Sequence, residues 1–67
     1  MKSIMLMDKK IVIAENESLD QVLSSNGYTG TYFAVAINRQ FIPRIRYMTT
    51  LLMDGDHIDI ISPMQGG

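Results

Sequence analysis

Few residues in this 67-residue chain could do chemistry. The last two, Gly66 and Gly67, bring a carboxylate on a backbone without side chains. Glycine is costly to order and packs nothing, so such an end adds nothing to a core. What it offers is access, because a stretch without Cβ atoms can thread a narrow channel and present the Gly67 carboxylate to an active site on another protein. The same two residues equally fit a frayed terminus or a cloning scar. The single histidine, His57, follows Asp56 at the exit of a turn, where an exposed polar residue needs no functional explanation. Ser24 and Ser25 lack the Gly-x-Ser-x-Gly setting of a nucleophile elbow. Asp54-x-Asp56 has the opening of a calcium loop but neither its later ligands nor its closing glutamate, and reads as a turn. Gly27 and Gly30 make no phosphate-binding motif, so any ATP in this protein's chemistry is expected on a partner.

Composition removes further classes. The absence of cysteine excludes a disulfide framework, a thiolate metal site and a cysteine nucleophile. The net charge of −1, spread in ones and twos, leaves no electrostatic footprint for nucleic acid. No apolar run has the length of a signal or membrane-spanning segment, and the expected location is the cytoplasm. A 46% hydrophobic content can build a core, in a single domain near the size at which a core only just offsets chain entropy.

The elements that must position the tail follow in order. Ser3 to Met7 reads as a strand with Ile4 and Leu6 on one face and Met5 and Met7 on the other, and a break at Asp8-Lys9 leads to a second strand over Lys10 to Ile13 in a hairpin. Ser18-Leu19-Asp20-Gln21 fits a capping box, Leu19, Val22 and Leu23 form one apolar stripe, and Asn26-Gly27 supplies the stop. A helix of about two turns cannot persist alone and is expected to pack on a sheet. A loop over Tyr28 to Thr31 leads to a third strand, Phe33 to Ile37, with large residues alternating with Ala34 and Ala36. Asn38-Arg39 turns the chain into a short strand, Gln40 to Ile42, which Pro43 ends as an edge. Arg44 to Met53 is irregular, Asp54-Gly55-Asp56 is a tight turn, and His57 to Ile61 is the last strand, with Ile58 and Ile60 on one face and Asp59 and Ile61 on the other. The fold class is α+β: a mixed sheet of about five strands with one main helix on one face, over residues 1–62, followed by a tail at 63–67.

If the first and last strands are neighbours, Met5, Met7 and Ile61 share a face with Ala34 and Ala36, an apolar surface prepared for docking. A different strand register would bury these methionines instead. Met48 and Met53 read as gap-fillers of the core. Arg44 and Arg46 read as solvated loop charges, or as cations that meet acidic groups of a partner and orient the docked domain.

Three stretches, Ala36-Ile37-Asn38-Arg39-Gln40-Phe41-Ile42-Pro43-Arg44, Leu51-Leu52-Met53-Asp54-Gly55-Asp56-His57-Ile58 and Gly66-Gly67, together resemble the sulfur-carrier proteins of thiamin biosynthesis, over nearly the whole chain. The sister family, the small sulfur-carrying subunit of molybdopterin synthase, shares the Asp-Gly-Asp turn and the Gly-Gly end, and Pro63 departs from the aliphatic residue expected in the thiamin group. The resemblance implies a ubiquitin-like β-grasp in which the first and last strands lie side by side in parallel. It implies a protein that is a co-substrate and not itself an enzyme, binding no cofactor. A ubiquitin-activating-type adenylyltransferase would use ATP and magnesium to adenylate Gly67, a sulfur donor system would convert the adenylate to a thiocarboxylate, and thiazole synthase would consume it. Gly66, Gln65 and Met64 would be gripped in the partner's channel, and Ile61, Met5, Met7, Ala34, Ala36, Phe41 and Arg44 would serve docking. A ubiquitin-like protein modifier and a purely non-covalent binding module are the other readings.

Overall fold

In the computed structural model, which describes residues 1–29 and 33–61, the chain forms β1 (Lys2–Leu6), β2 (Lys9–Ile13), α1 (Leu19–Ser25), β3 (Ala34–Ile37), β4 (Gln40–Ile42), a 3-10 turn (Arg44–Arg46) and β5 (His57–Ile61). The strands make one sheet in the order β2-β1-β5-β3-β4. The pair β1·β5 is parallel and the other pairs are antiparallel, which is the arrangement expected of a β-grasp. The expected boundary between domain and tail, and Met64, Gln65, Gly66 and Gly67 with it, lie outside the described residues.

The hairpin turns at Met7-Asp8 and not at Asp8-Lys9, pairing Ile4 with Ile11 and Leu6 with Lys9. Met7 takes a positive φ of 58° to do so. The capping box forms: the Gln21 amide donates to Ser18 Oγ at 3.2 Å and the Ser18 amide donates to Gln21 Oε1 at 2.9 Å. The two preceding helix donors go to the irregular segment, Leu19 N–H to the Thr50 carbonyl at 2.8 Å and Asp20 N–H to the Tyr47 carbonyl at 3.1 Å. At the other end Gly27, with φ +87°, closes the helix: its N–H donates to the Ser24 carbonyl and that of Tyr28 to the Leu23 carbonyl, the paired bonds of a Schellman motif.

Helix α1 buries Leu19, Val22 and Leu23 against Ile4, Leu6, Ile13, Val35, Ile37 and Ile58 on one face of the sheet. Tyr47 and Leu52 complete this core, with Leu52 fully buried. Met48 and Met53 do not. At 74% and 69% exposed they correct the expectation that they fill core gaps, because the segment turns Tyr47 and Leu52 inward and leaves the residue after each of them outside. No helix among the described residues is long and apolar enough to cross a membrane.

Candidate functional site

Gly67 follows β5 in the sequence, so the site is built around that strand. The turn that leads into it is held by a dense set of hydrogen bonds. The Ser3 amide donates to Asp54 Oδ1 at 2.7 Å, Gly55 N–H returns to the Ser3 carbonyl at 2.8 Å, and the Met53 amide donates to Asp56 Oδ2 at 2.8 Å. Gly55 adopts φ +89°, a conformation side chains resist. Both carboxylates of the Asp-Gly-Asp stretch therefore accept from backbone amides, as a structural turn requires.

Asn38 and Arg39, at φ 51° and 71°, form a two-residue turn with both central residues left-handed, the hairpin geometry that suits the sheet's twist. Asn38 also ties this turn to β5. Its Nδ2 donates to Asp56 Oδ1 at 2.9 Å, its Oδ1 accepts the His57 amide at 3.0 Å, and its own amide donates to the His57 carbonyl at 2.9 Å.

Strand alternation and register decide what stands on the face away from the helix. On β5 these are His57, Asp59 and Ile61. Met5 pairs with His57, Ala36 with Asp59 and Ala34 with Ile61, while Phe41 pairs with Ala36 from β4. Phe41 is 66% exposed and Ile61 53%. Met7 joins from the hairpin turn, its Sδ accepting the Ile60 amide at 3.1 Å. The structure thus brings together Ile61, Met5, Met7, Ala34, Ala36 and Phe41. It places Arg44 elsewhere: the guanidinium lies over the rings of Phe33, 6.0 Å away, and Tyr47, 5.6 Å away, both packed with the core on the helix side. Burial of Tyr47 pushes its phenol above the ordinary value, against a weaker opposite pull from the Arg44 charge.

Sequence reasoning passed over the centre of this face. His57 Nε2 lies 3.4 Å from Asp59 Oδ1, with both side chains about half exposed, and the two line a shallow depression with Asp8, Asn38 and Arg39. The signal was present in the alternation of His57, Asp59 and Ile61, but His57 read as a turn residue conceals it. Among the described residues no three His, Cys, Asp or Glu side chains converge as metal ligands.

The fold has a close counterpart. The chain is similar to the crystal structure of a thiamine biosynthesis protein (ThiS) from Geobacter metallireducens, with a TM-score of 0.80 and 24% sequence identity over 97% of this chain and 99% of that one; at this identity the likeness speaks for the fold. No curated protein matches the chain. The model of the ThiS family does match, from residue 2 to residue 67, and so takes in the sheet, the outer face and the terminal glycines alike: the chain belongs to the ThiS family.

Proposed function

We propose that this protein is a sulfur carrier of thiamin biosynthesis whose reacting group is the Gly67 carboxylate. The observation that carries the reading is the family match, which runs through Gly66-Gly67. The chemistry explains why a carrier needs partners. A carboxylate is anionic and resonance-stabilised, hence a poor electrophile, and must be activated before sulfur can replace one of its oxygens. A ubiquitin-activating-type adenylyltransferase, using ATP and magnesium, lets a Gly67 oxygen attack the α-phosphorus and expels pyrophosphate. A sulfur donor then adds to the acyl carbon and AMP leaves, giving the thiocarboxylate that thiazole synthase consumes.

In this reading Gly66, Gln65 and Met64 occupy the partner's channel, and Gly66 keeps the approach slim. The outer face, with Phe41, Ile61, Ala34, Ala36, Met5 and Met7, docks on the partner. The domain contributes no catalytic group and binds no cofactor of its own. The reaction draws on ATP, so the reading puts the carrier in the cytoplasm.

Intact mass after incubation with the adenylyltransferase, ATP, magnesium and a sulfur source tests it. The expected product has one oxygen replaced by sulfur. No shift with the cognate enzyme, or ladders of conjugated proteins as for a protein modifier, would refute the carrier reading. Deleting Gly66-Gly67 is expected to abolish loading and leave the thermal midpoint in place.

A further inference from the structure

Asp59 has apolar neighbours along and across the strands and a polar depression on one side. On its own strand Ile61 follows it on the outer face; across β3 it faces Ala36, with Phe41 beyond. On the β1 side are Met5, paired with His57, and Met7, whose Sδ reaches the next amide, that of Ile60. Within this ring His57 is the group in reach of the carboxylate, 3.4 Å away. The remaining charges stand at the margin: Asp8 and Arg39 line the depression beside the pair with the neutral Asn38, and Lys10 flanks Met5 from β2.

A partner laid on Phe41 and Ile61 also covers Asp59 and takes water from its carboxylate. An ionised carboxylate removed from water needs a counter-charge close by. That charge comes from a cation on the partner, from Arg39 at the margin of the depression, or from His57, the side-chain type whose charge changes between pH 5 and 8. Geometry favours the last, since the imidazole already lies 3.4 Å from the carboxylate.

We infer that docking on the outer face takes up one proton at His57, so that a His57–Asp59 ion pair closes beneath the partner and the partner surface that fits over it is apolar and uncharged. The inference rests on the reading that the outer face is the docking face. Its consequence is that the complex weakens as pH rises.

Calorimetric titration of the full chain with the adenylyltransferase of the same organism, at pH 6.5 to 8.5 in buffers of different ionisation enthalpy, tests it. For the natural sequence we expect net proton uptake and a Kd that rises with pH by at most about tenfold per unit, the limit for one linked proton. In His57→Gln uptake and pH slope are lost. In Asp59→Asn the slope is lost and the affinity of the natural sequence at pH 6.5 is kept at pH 8.5. A slope unchanged in His57→Gln, or an Asp59→Asn variant that binds more weakly at every pH as a partner cation would require, overturns the inference while leaving the docking face intact. Undiminished binding of Phe41→Asp and Ile61→Asp overturns the docking face itself, and the inference with it.

Discussion

Replacing Asn38 by alanine removes more than an exposed polar side chain should matter for. Two hydrogen bonds go: the one donated to Asp56 Oδ1, a charged acceptor, and the one accepted from the His57 amide. Each is worth about 0.5–1.5 kcal/mol, with the lower half of that range apt because water can reach both groups. Alanine must also hold the φ of 51°, where a Cβ costs about 1–2 kcal/mol relative to residues that tolerate it. The sum is about 2–4 kcal/mol. For a domain of this size 1 kcal/mol moves the midpoint by about 4–8 °C, so Asn38→Ala is expected to melt at least about 8 °C lower. Asn38→Gly isolates the hydrogen bonds, because glycine accepts the backbone angle, and loses only about 1–2 kcal/mol. Asn38→Asp sets a second carboxylate against Asp56; it is least stable relative to the natural sequence at neutral pH and recovers in acid, where one carboxyl is protonated and can donate to the other. Thermal melts of the three variants by circular dichroism check the order. An alanine variant within about 3 °C of the natural sequence, or indistinguishable from the glycine variant, would refute the account of the turn.

Leu52→Ala empties a fully buried site and is expected to cost about 2–5 kcal/mol, enough to unfold much of a domain this small, whereas Met48→Ala, at an exposed position, stays within about 0.5 kcal/mol; urea titrations compare them. The neutral Tyr47 phenol is favoured in the folded state because burial raises its pKa above the ordinary 10.0. The folded state then binds more protons than the unfolded one above that pH, so stability is full below about pH 10 and declines as pH climbs further; Tyr47→Phe, measured by urea unfolding at pH 9 and pH 11, is expected to flatten this decline.

The helix was legible because its signals are local: the Ser18–Gln21 box and the Asn26-Gly27 stop are satisfied by atoms within a few residues. Turning residues Asn38 and Arg39 were legible too, though neither is glycine. The first hairpin's turn was not. Moving it from Met7-Asp8 to Asp8-Lys9 shifts the register by two, which still sets Ile4 and Leu6 opposite inward residues of β2, so hydrophobic alternation cannot tell the two apart. Nor could the sequence sort residues 44–53. Ile45, Met48, Leu51 and Met53 are as apolar as Tyr47 and Leu52, yet the latter two are buried. What selects them is remote, since the Tyr47 and Thr50 carbonyls accept from the first amides of α1 and pin the segment across the helix start.

The polar contacts around β5 are distributed unevenly, and the imbalance bears on function. At its start the strand is fixed from both sides: the Met5 amide donates to the Asp56 carbonyl at 2.9 Å, and Asn38 holds His57 and Asp56 from the β3 side. Towards its end the β1 ladder runs out after Ile58, and the Ile60 amide has a thioether, a weak acceptor, in place of a carbonyl. Pairing with β3 alone continues to Ile61. In the proposed reading a carrier has to keep its domain rigid while a partner handles the residues that follow, and a strand clamped firmly at one end and lightly at the other suits both needs. The same geometry leaves Met7, Asp59 and Ile61 side by side where the strand is least encumbered, so that in this proposal the surface offered to the partner and the segment offered to its channel share one short stretch of backbone. Asn38 holds His57 and lines the depression beside it, so Asn38→Gly should lower stability and also disturb that end of the outer face, while substitutions at Phe41 or Ile61 should weaken binding and leave the thermal midpoint in place. Thermal melts and titrations with the partner compare them, and a loss of stability for Phe41→Asp as large as that for Asn38→Gly would refute this division.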